Sequence, residues 1–274
     1  MVIGYTTGVF DMFHIGHLNI LRRAKEMCDY LIVGVSTDEL VEHDKHKTPI
    51  IPFEDRCKIV EAIRYVDKVV PQIDKNKFGA WQRYGFNKMF VGSDWQGTPQ
   101  WNEFERQFSK VDVGIHYLSH TDGISSTLPR QKLNDVKGGK IIGYTTGVYD
   151  MLHIGHINIL RRAKENCDFL IVGVSTDECV KSYKHKTPIV PFECRATIVQ
   201  ALSCVDTVVP QCDMDKVKFL RENHFDVMFH GDEWKGTELY NHYEREFANY
   251  GARIEYLPHT EGISSTILRS KIQQ

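Results

Sequence analysis

The chain has little excess charge of either sign: among 274 residues, 34 lysines and arginines stand against 36 aspartates and glutamates, a net of −2. That balance excludes the global basic field of a nucleic-acid binder. It also lacks any apolar run near the roughly 18 residues a membrane span needs, so no membrane partner is expected. Seven cysteines are present. None forms a Cys-x-x-Cys pair, and their odd number suits reduced thiols in a cytoplasmic protein. The opening MVIGYTTGVF has neither a basic n-region nor a long apolar h-region, so a secretory leader is not expected. What is present, 42% hydrophobic and 26% charged residues, is an ordinary globular balance. The length fits one large domain or two small ones.

The dominant feature is a repeat. Residues 4–56 and 143–195 share roughly 42 of 53 aligned positions, and the offset of about 139 residues persists to the far end. A period this long marks a duplicated domain rather than a solenoid. The expected domains are residues 1–136 and 137–274, joined at the polar, Gly-containing stretch Asn134–Lys140.

Each copy alternates strand and helix. Val2–Thr6 reads as a strand. Ile15–Met27 places Leu18, Leu21 and Ala24 at helical spacing. Tyr30–Val35 is a continuous apolar run, as in a strand buried on both faces. Pro52 can open a helix at Phe53 with Ile59, Val60 and Ile63 inward. Val66–Val70, Lys88–Val91 and Val113–Leu118 read as further strands, the first ending at Pro71. The expected fold class is α/β, each copy a parallel sheet with helices on both faces. Ligands in such sheets bind at the carboxyl ends of the strands.

Five motifs, each present twice, fall near those ends. Thr6 to His17 (TTGVFDMFHIGH) is repeated as Thr145 to His156. Gly8 permits close backbone approach to a ligand. His14 and His17 share one face at a helix start, with Gly16 leaving room between them. The helix N-terminus favours an anion, and imidazoles add donors suited to a phosphate whose charge grows during displacement. The bland alternative is that the histidines pack or cap. Zinc is disfavoured because no Cys or carboxylate stands at ligand spacing, so no metal site made directly by a protein ligand cluster is expected. The second motif is Lys45-His46-Lys47-Thr48 and Lys184-His185-Lys186-Thr187; its alternative is a solvated basic loop. Third come Arg56, matched by Arg195, and Arg64, replaced by Ser203. A serine cannot replace the forked charge of arginine. Fourth is Gly92-Ser93-Asp94-Trp95-Gln96-Gly97 against Gly231-Asp232-Glu233-Trp234-Lys235-Gly236, where the tryptophans could wall a pocket or simply pack. Fifth is His120-Thr121-Asp122-Gly123-Ile124-Ser125-Ser126-Thr127 against His259-Thr260-Glu261-Gly262-Ile263-Ser264-Ser265-Thr266, whose hydroxyls can cap a helix or bind phosphates.

In this order the motifs resemble the HxGH nucleotidyltransferase family over nearly the whole of each copy, most nearly bacterial glycerol-3-phosphate cytidylyltransferase. Choline-phosphate and ethanolamine-phosphate cytidylyltransferases are more distantly similar. The His-Ile-Gly-His string also matches class I aminoacyl-tRNA synthetases, but no KMSKS-like segment or anticodon-binding domain accompanies it. The resemblance implies two tandem Rossmann-like nucleotidyltransferase domains. It implies catalytic roles for His14, His17, Lys45, Lys47 and Arg56, and for His153, His156, Lys184, Lys186 and Arg195. Nucleotide binding is implied for Thr7, Gly8, Val9, Phe10, Asp11, Asp94, His120, Thr121 and Gly123 through Thr127. The second-copy set is Thr146, Gly147, Val148, Tyr149, Asp150, Glu233, His259, Thr260 and Gly262 through Thr266. Arg64, Trp95, Arg130, Trp234 and Arg269 are implied near the substrate phosphate. Both fifth motifs begin with histidine where the family has arginine, and their ISSTxxR-like continuation resembles adenylyltransferases, which keeps ATP open.

The implied reaction joins CTP, with Mg²⁺, to a small alcohol phosphate, sn-glycerol 3-phosphate in the first instance. The products are pyrophosphate and a CDP-alcohol for teichoic-acid-like or capsular polymers. Alternatives are an adenylyltransferase, another polyol or amino-alcohol phosphate as acceptor, and a catalytically silent nucleotide-binding protein. Duplication suggests an intrachain pseudo-dimer, with further homodimerisation open. Loss of the Arg64 counterpart makes the second copy the better candidate for a structural passenger.

Overall fold

The computed structural model describes residues 1–119 and 139–272, and Lys45 through its backbone only. The chain divides into two compact units on either side of the undescribed stretch.

The first unit runs β1 (Ile3–Gly8), α1 (Ile15–Lys25), β2 (Tyr30–Ser36), α2 (Asp38–Lys45), α3 (Phe53–Glu61), β3 (Lys68–Gln72), α4 (Lys77–Tyr84), β4 (Lys88–Gly92), α5 (Pro99–Ser109) and β5 (Gly114–Leu118). The second repeats it as β6 (Ile142–Gly147), α6 (Ile154–Glu165), β7 (Phe169–Ser175), α7 (Asp177–Lys184), α8 (Phe192–Gln200), β8 (Thr207–Gln211), α9 (Lys216–Asn223), β9 (Val227–Gly231), α10 (Glu238–Ala248) and β10 (Arg253–Leu257), then α11 (Ser265–Ile272). The sheets are ordered β3-β2-β1-β4-β5 and β8-β7-β6-β9-β10. Every paired strand is parallel, and corresponding pairs share a register: Ile3 faces Tyr30 as Ile142 faces Phe169.

Strand alternation sorts the core into two layers. Tyr5, Ile32 and Met89 point to the face covered by α4 and α5, where they meet Ala80, Trp101, Phe104 and Phe108. Leu31, Val33 and Phe90 are fully buried with Leu21 of α1 and Ile59 and Val60 of α3. The parallel sheet with helices on both faces is as expected. Strand order reverses at β1 and β4, and again at β6 and β9, so a crevice opens beyond the carboxyl ends of those pairs.

Three local outcomes differ from expectation. Strand β3 continues through Pro71, which pairs with Val35. It is an edge strand, so the missing N–H interrupts no central ladder. Helices α4 and α5 fall in stretches where no element was expected. Helix α4 hides its signal behind an internal glycine, Gly79, whose N–H is capped by Asn76 at 2.9 Å. Helix α5 begins at Pro99, a residue suited to a first helical turn.

Candidate active site

The loop leaving β1 sets the geometry. Phe10 and Met12 take left-handed φ values of 55° and 47°, as do Tyr149 (55°) and Met151 (49°). Side chains there are strained, so the buried Phe10 and Tyr149 rings must hold the turn. Those rings lie over the preceding glycines: a Cβ on Gly8 would come 3.1 Å from Phe10, and one on Gly147 would come 3.0 Å from Tyr149.

The two histidines stack at the helix start, with ring centroids 3.8 Å apart for His14–His17 and 3.7 Å for His153–His156. His14 Nδ1 accepts the Gly16 N–H at 3.1 Å, and His17 Nδ1 accepts the His14 N–H at 3.4 Å. Each ring's proton then sits on Nε2, aimed away from the helix. A Cβ on Gly16 would lie 2.9 Å from the His14 ring, so glycine is required where the imidazole folds over the first turn. Burial pushes His17 down to about 3, with His14 next to it adding to the effect, and lowers His14 as well. In the second copy burial pushes His153 down to about 4 and His156 well below the ordinary histidine range. At neutral pH all four rings are uncharged N–H donors. The packing-or-capping alternative thus accounts for the Nδ1 atoms of His14 and His17 but leaves Nε2 for a ligand. In the second copy the Nδ1 atoms of both histidines are buried without a partner.

Asp11 ties this loop to the lysine-bearing one, accepting the N–H groups of Ile50 and Ile51 at 2.8 and 3.0 Å. Asp150 does the same for Ile189 and Val190 at 3.0 and 2.9 Å, and also meets Arg269 at 3.1 Å. These bonds occupy the carboxylates, so each positions the lysine-bearing loop rather than presenting a free anion.

Arg56 and Arg195 are placed away from the crevice, contrary to the direct phosphate role expected of them. Both lack exposed surface. Arg56 donates to the carbonyls of Val9, Ser36 and Ile51 and to the Asp38 carboxylate. Arg195 likewise donates to Val148 and Val190 and to Asp177. Through four such bonds from Arg56 and three from Arg195, they clamp the β1 and β6 loops from behind.

The second copy shows the crevice most fully. A cavity of about 190 Å³ is lined by Val148, Asp150, Lys184, Lys186, Ser265, Thr266 and Arg269, among others. Burial lowers the Lys184 ammonium. Ser265 donates to the Asp150 carbonyl at 2.8 Å and lies 3.4 Å from His153 Nε2. Ser264 caps α11 through the Ile267 N–H at 3.2 Å. Thr260 accepts from Asn158 at 3.1 Å, Gly262 takes φ 78°, and Ile263 faces Gly155. The His259 N–H reaches Asp232 at 3.2 Å. Thus the first, second and fifth motifs meet around one cavity. In the first copy, His120 through Thr127 and Arg130 lie outside the described residues, as does the Lys45 side chain; Lys47 is exposed.

The fourth motif forms a short 3₁₀ turn after β4 and β9. Trp95 and Trp234 are 51% and 40% exposed, so neither is simply core. Glu233 folds back over Gly231. Arg64 is exposed just beyond α3, as is Ser203 at the matching position.

Two functional candidates were missed in the sequence. Lys77 and Lys216 open α4 and α9 and are 8% and 3% exposed. Lys77 reaches Thr7 Oγ1 at 3.1 Å, on the sheet face opposite α1. Burial pushes both lysines down to about 8. The signal was available: Pro-Gln-x-Asp-x-x-Lys occurs at 71–77 and 210–216.

No group of three or more potential metal-ligating side chains occurs among the described residues. The Asp150 carboxylate is already held by two amides and Arg269.

Comparison with known proteins gives the family. The model described as cytidylyltransferase-like matches twice, over residues 5–132 and 144–271. The chain belongs to the cytidylyltransferase-like family. A probable ethanolamine-phosphate cytidylyltransferase of Encephalitozoon cuniculi is 29% identical, covering 82% of this chain and 80% of that protein. An ethanolamine-phosphate cytidylyltransferase of Dictyostelium discoideum is 27% identical, covering 98% and 89%. A glycerol-3-phosphate cytidylyltransferase of Staphylococcus aureus is 40% identical, covering 47% of this chain and 92% of its own. The tandem cytidylyltransferase-like arrangement is therefore matched as a whole by one kind of relative, and one copy at a time by the other. No helix among the described residues is long and apolar enough to cross a membrane.

Proposed function

We propose that the protein transfers a cytidylyl group from CTP to a small alcohol phosphate, releasing pyrophosphate and a CDP-alcohol. The observation that carries this reading is the stacked, uncharged histidine pair at the start of α1 and α6, whose Nε2 donors in the first copy are left for a phosphate. An acceptor phosphate oxygen forms a bond to the α-phosphorus, and the bond from that phosphorus to the bridging oxygen breaks. The acceptor phosphate is already an anion, so no side-chain nucleophile is needed, and catalysis is positioning and charge stabilisation. The histidine Nε2–H groups and the helix N-terminus stabilise charge on the transferred phosphate. Lys184, Lys186 and the α11 hydroxyls hold the departing pyrophosphate. Lys77 and Lys216, on the opposite face, receive the acceptor phosphate, as in-line displacement requires. Mg²⁺ belongs to this reading only as an ion carried on the triphosphate oxygens.

Ethanolamine phosphate and sn-glycerol 3-phosphate are the leading acceptors. The first is supported by relatives spanning most of the chain, the second by relatives of one copy at higher identity. The test is pyrophosphate release with Mg²⁺ and CTP or ATP, with and without each acceptor. Release that needs CTP and an alcohol phosphate, and that falls at least a hundredfold in a His17→Ala, His156→Ala double variant, supports the reading. ATP-dependent release would make it an adenylyltransferase. CTP binding without turnover on any acceptor would make it a binding protein.

A further inference from the structure

The two copies differ on the face where the acceptor phosphate would enter, and several differences occur together. Around Lys77 the neighbours are charged: Lys75 pairs with Asp44 at 2.9 Å, and both bear on the Lys77 charge. The matching positions in the second copy hold Met214 and Tyr183. There Lys216 lies 5.7 Å over the ring of Tyr243, which replaces Phe104.

The larger change is at the end of β9. His230 stands where the first copy has Val91. Its ring centroid is 4.7 Å from that of Tyr240 and 5.6 Å from that of Trp234, and Trp234 and Tyr240 are 5.3 Å apart. Three rings thus pack on one another beside the buried lysine. His230 Nδ1 accepts the Gly231 N–H at 3.0 Å, which fixes the ring proton on Nε2. Burial, with Lys216 close by, pushes His230 down to about 4, so the imidazole adds no positive charge to the group at neutral pH. Val91 gives the first copy no ring with which to link Trp95 and Trp101.

We propose that the copies take different acceptors, the first a polyhydroxyl phosphate and the second an alkylammonium phosphate, with Trp234 and His230 as the selecting rings and the buried Tyr240 holding them from behind. This rests on the reading that both copies transfer cytidylyl groups. An alkylammonium phosphate carries opposite charges at its two ends. Its phosphate meets Lys216, and its cation meets uncharged ring faces, which attract cations through their quadrupole. A polyhydroxyl group gains little from ring faces. It is served better by the donors and acceptors of the Asp44–Lys75 pair.

The test uses the full chain with one copy disabled at a time. Pyrophosphate release from CTP is measured for His17→Ala and His156→Ala with ethanolamine phosphate, choline phosphate and sn-glycerol 3-phosphate. The His17→Ala chain, reporting the second copy, is expected to favour the alkylammonium phosphates at least tenfold in kcat/KM. The His156→Ala chain is expected to show the reverse order. Adding His230→Val to the His17→Ala chain should raise KM for the alkylammonium phosphates five- to tenfold while leaving KM for CTP unchanged, a split that general loss of folding would not produce. Equal acceptor ratios in the two single variants would overturn the proposal while leaving the cytidylyltransferase reading standing. So would an inactive His17→Ala chain beside an active His156→Ala chain. Wild-type protein that releases no pyrophosphate with any acceptor would overturn both.

Discussion

Arg56 Nη2 lies 2.5 Å from Asp38 Oδ1, and the arginine side chain has no exposed surface. The same pair recurs as Arg195 and Asp177. Each arginine joins the first turn of the next helix to the loop before the histidine pair, and Arg56 also holds the end of β2 through the Ser36 carbonyl. Removing Arg56 leaves three carbonyls without their donor. Arg56→Ala is expected to destabilise the first unit by about 3 kcal/mol, because the buried carbonyls of Ile51 and Ser36 lose their donor while the half-exposed Asp38 is taken up by water. Denaturant unfolding checks this. Unchanged stability with lost turnover would instead place Arg56 on the substrate.

Asp11 should matter to nucleotide binding without touching nucleotide. Asp11→Ala frees the Ile50 and Ile51 N–H groups and unties the lysine loop. The expected result is a rise of about tenfold in KM for CTP from the first copy, roughly the 1.4 kcal/mol that one or two lost hydrogen bonds are worth. Kinetics in a His156→Ala background isolate the effect.

The depressed histidines predict acid sensitivity. Between about pH 3, the folded value of His17, and the ordinary histidine value near 6.5, the unfolded chain binds more protons than the folded one. Stability therefore falls as pH drops through that window and is flat above it. Thermal melts from pH 7.5 to 4 should show the decline, and His17→Gln should make it shallower, the other buried histidines keeping the rest. A profile unchanged by the substitution would mean that His17 is not held neutral by burial.

Lys77 and Lys216 predict an opposite, alkaline effect on activity. Burial holds both near pH 8, so acceptor KM should rise as pH passes 8 and the ammonium loses its charge. For stability the sign differs. Between about 8 and the ordinary lysine value near 10.4, the unfolded chain again binds more protons, so folding gains as pH rises. Lys77→Met is expected to raise acceptor KM at least tenfold without loss of stability. A KM independent of pH from 7 to 9.5 would remove these lysines from the acceptor site.

Several elements could be seen in the residue pattern. The run Tyr30–Val35 was a buried strand because a parallel sheet covered on both faces needs no polar alternation. The histidine pair was visible because spacing, glycine and repetition all coincided at one helix start. Helix α4 was not visible, since Gly79 and Trp81 blur its period. With it went Lys77, whose side chain gains meaning only when the helix start is set against the end of β1.

The sequence alone determined the duplication, the alternation of strand and helix, and the chemistry of the histidine and hydroxyl motifs, because local periodicity and repeated spacing survive without coordinates. Only the tertiary structure decided which charged groups face a ligand. Arg56 and Lys77 look alike as exposed cations in a string of letters. Burial and the order of strands turned the first into a clamp behind the loop and set the second against Thr7 near the end of β1.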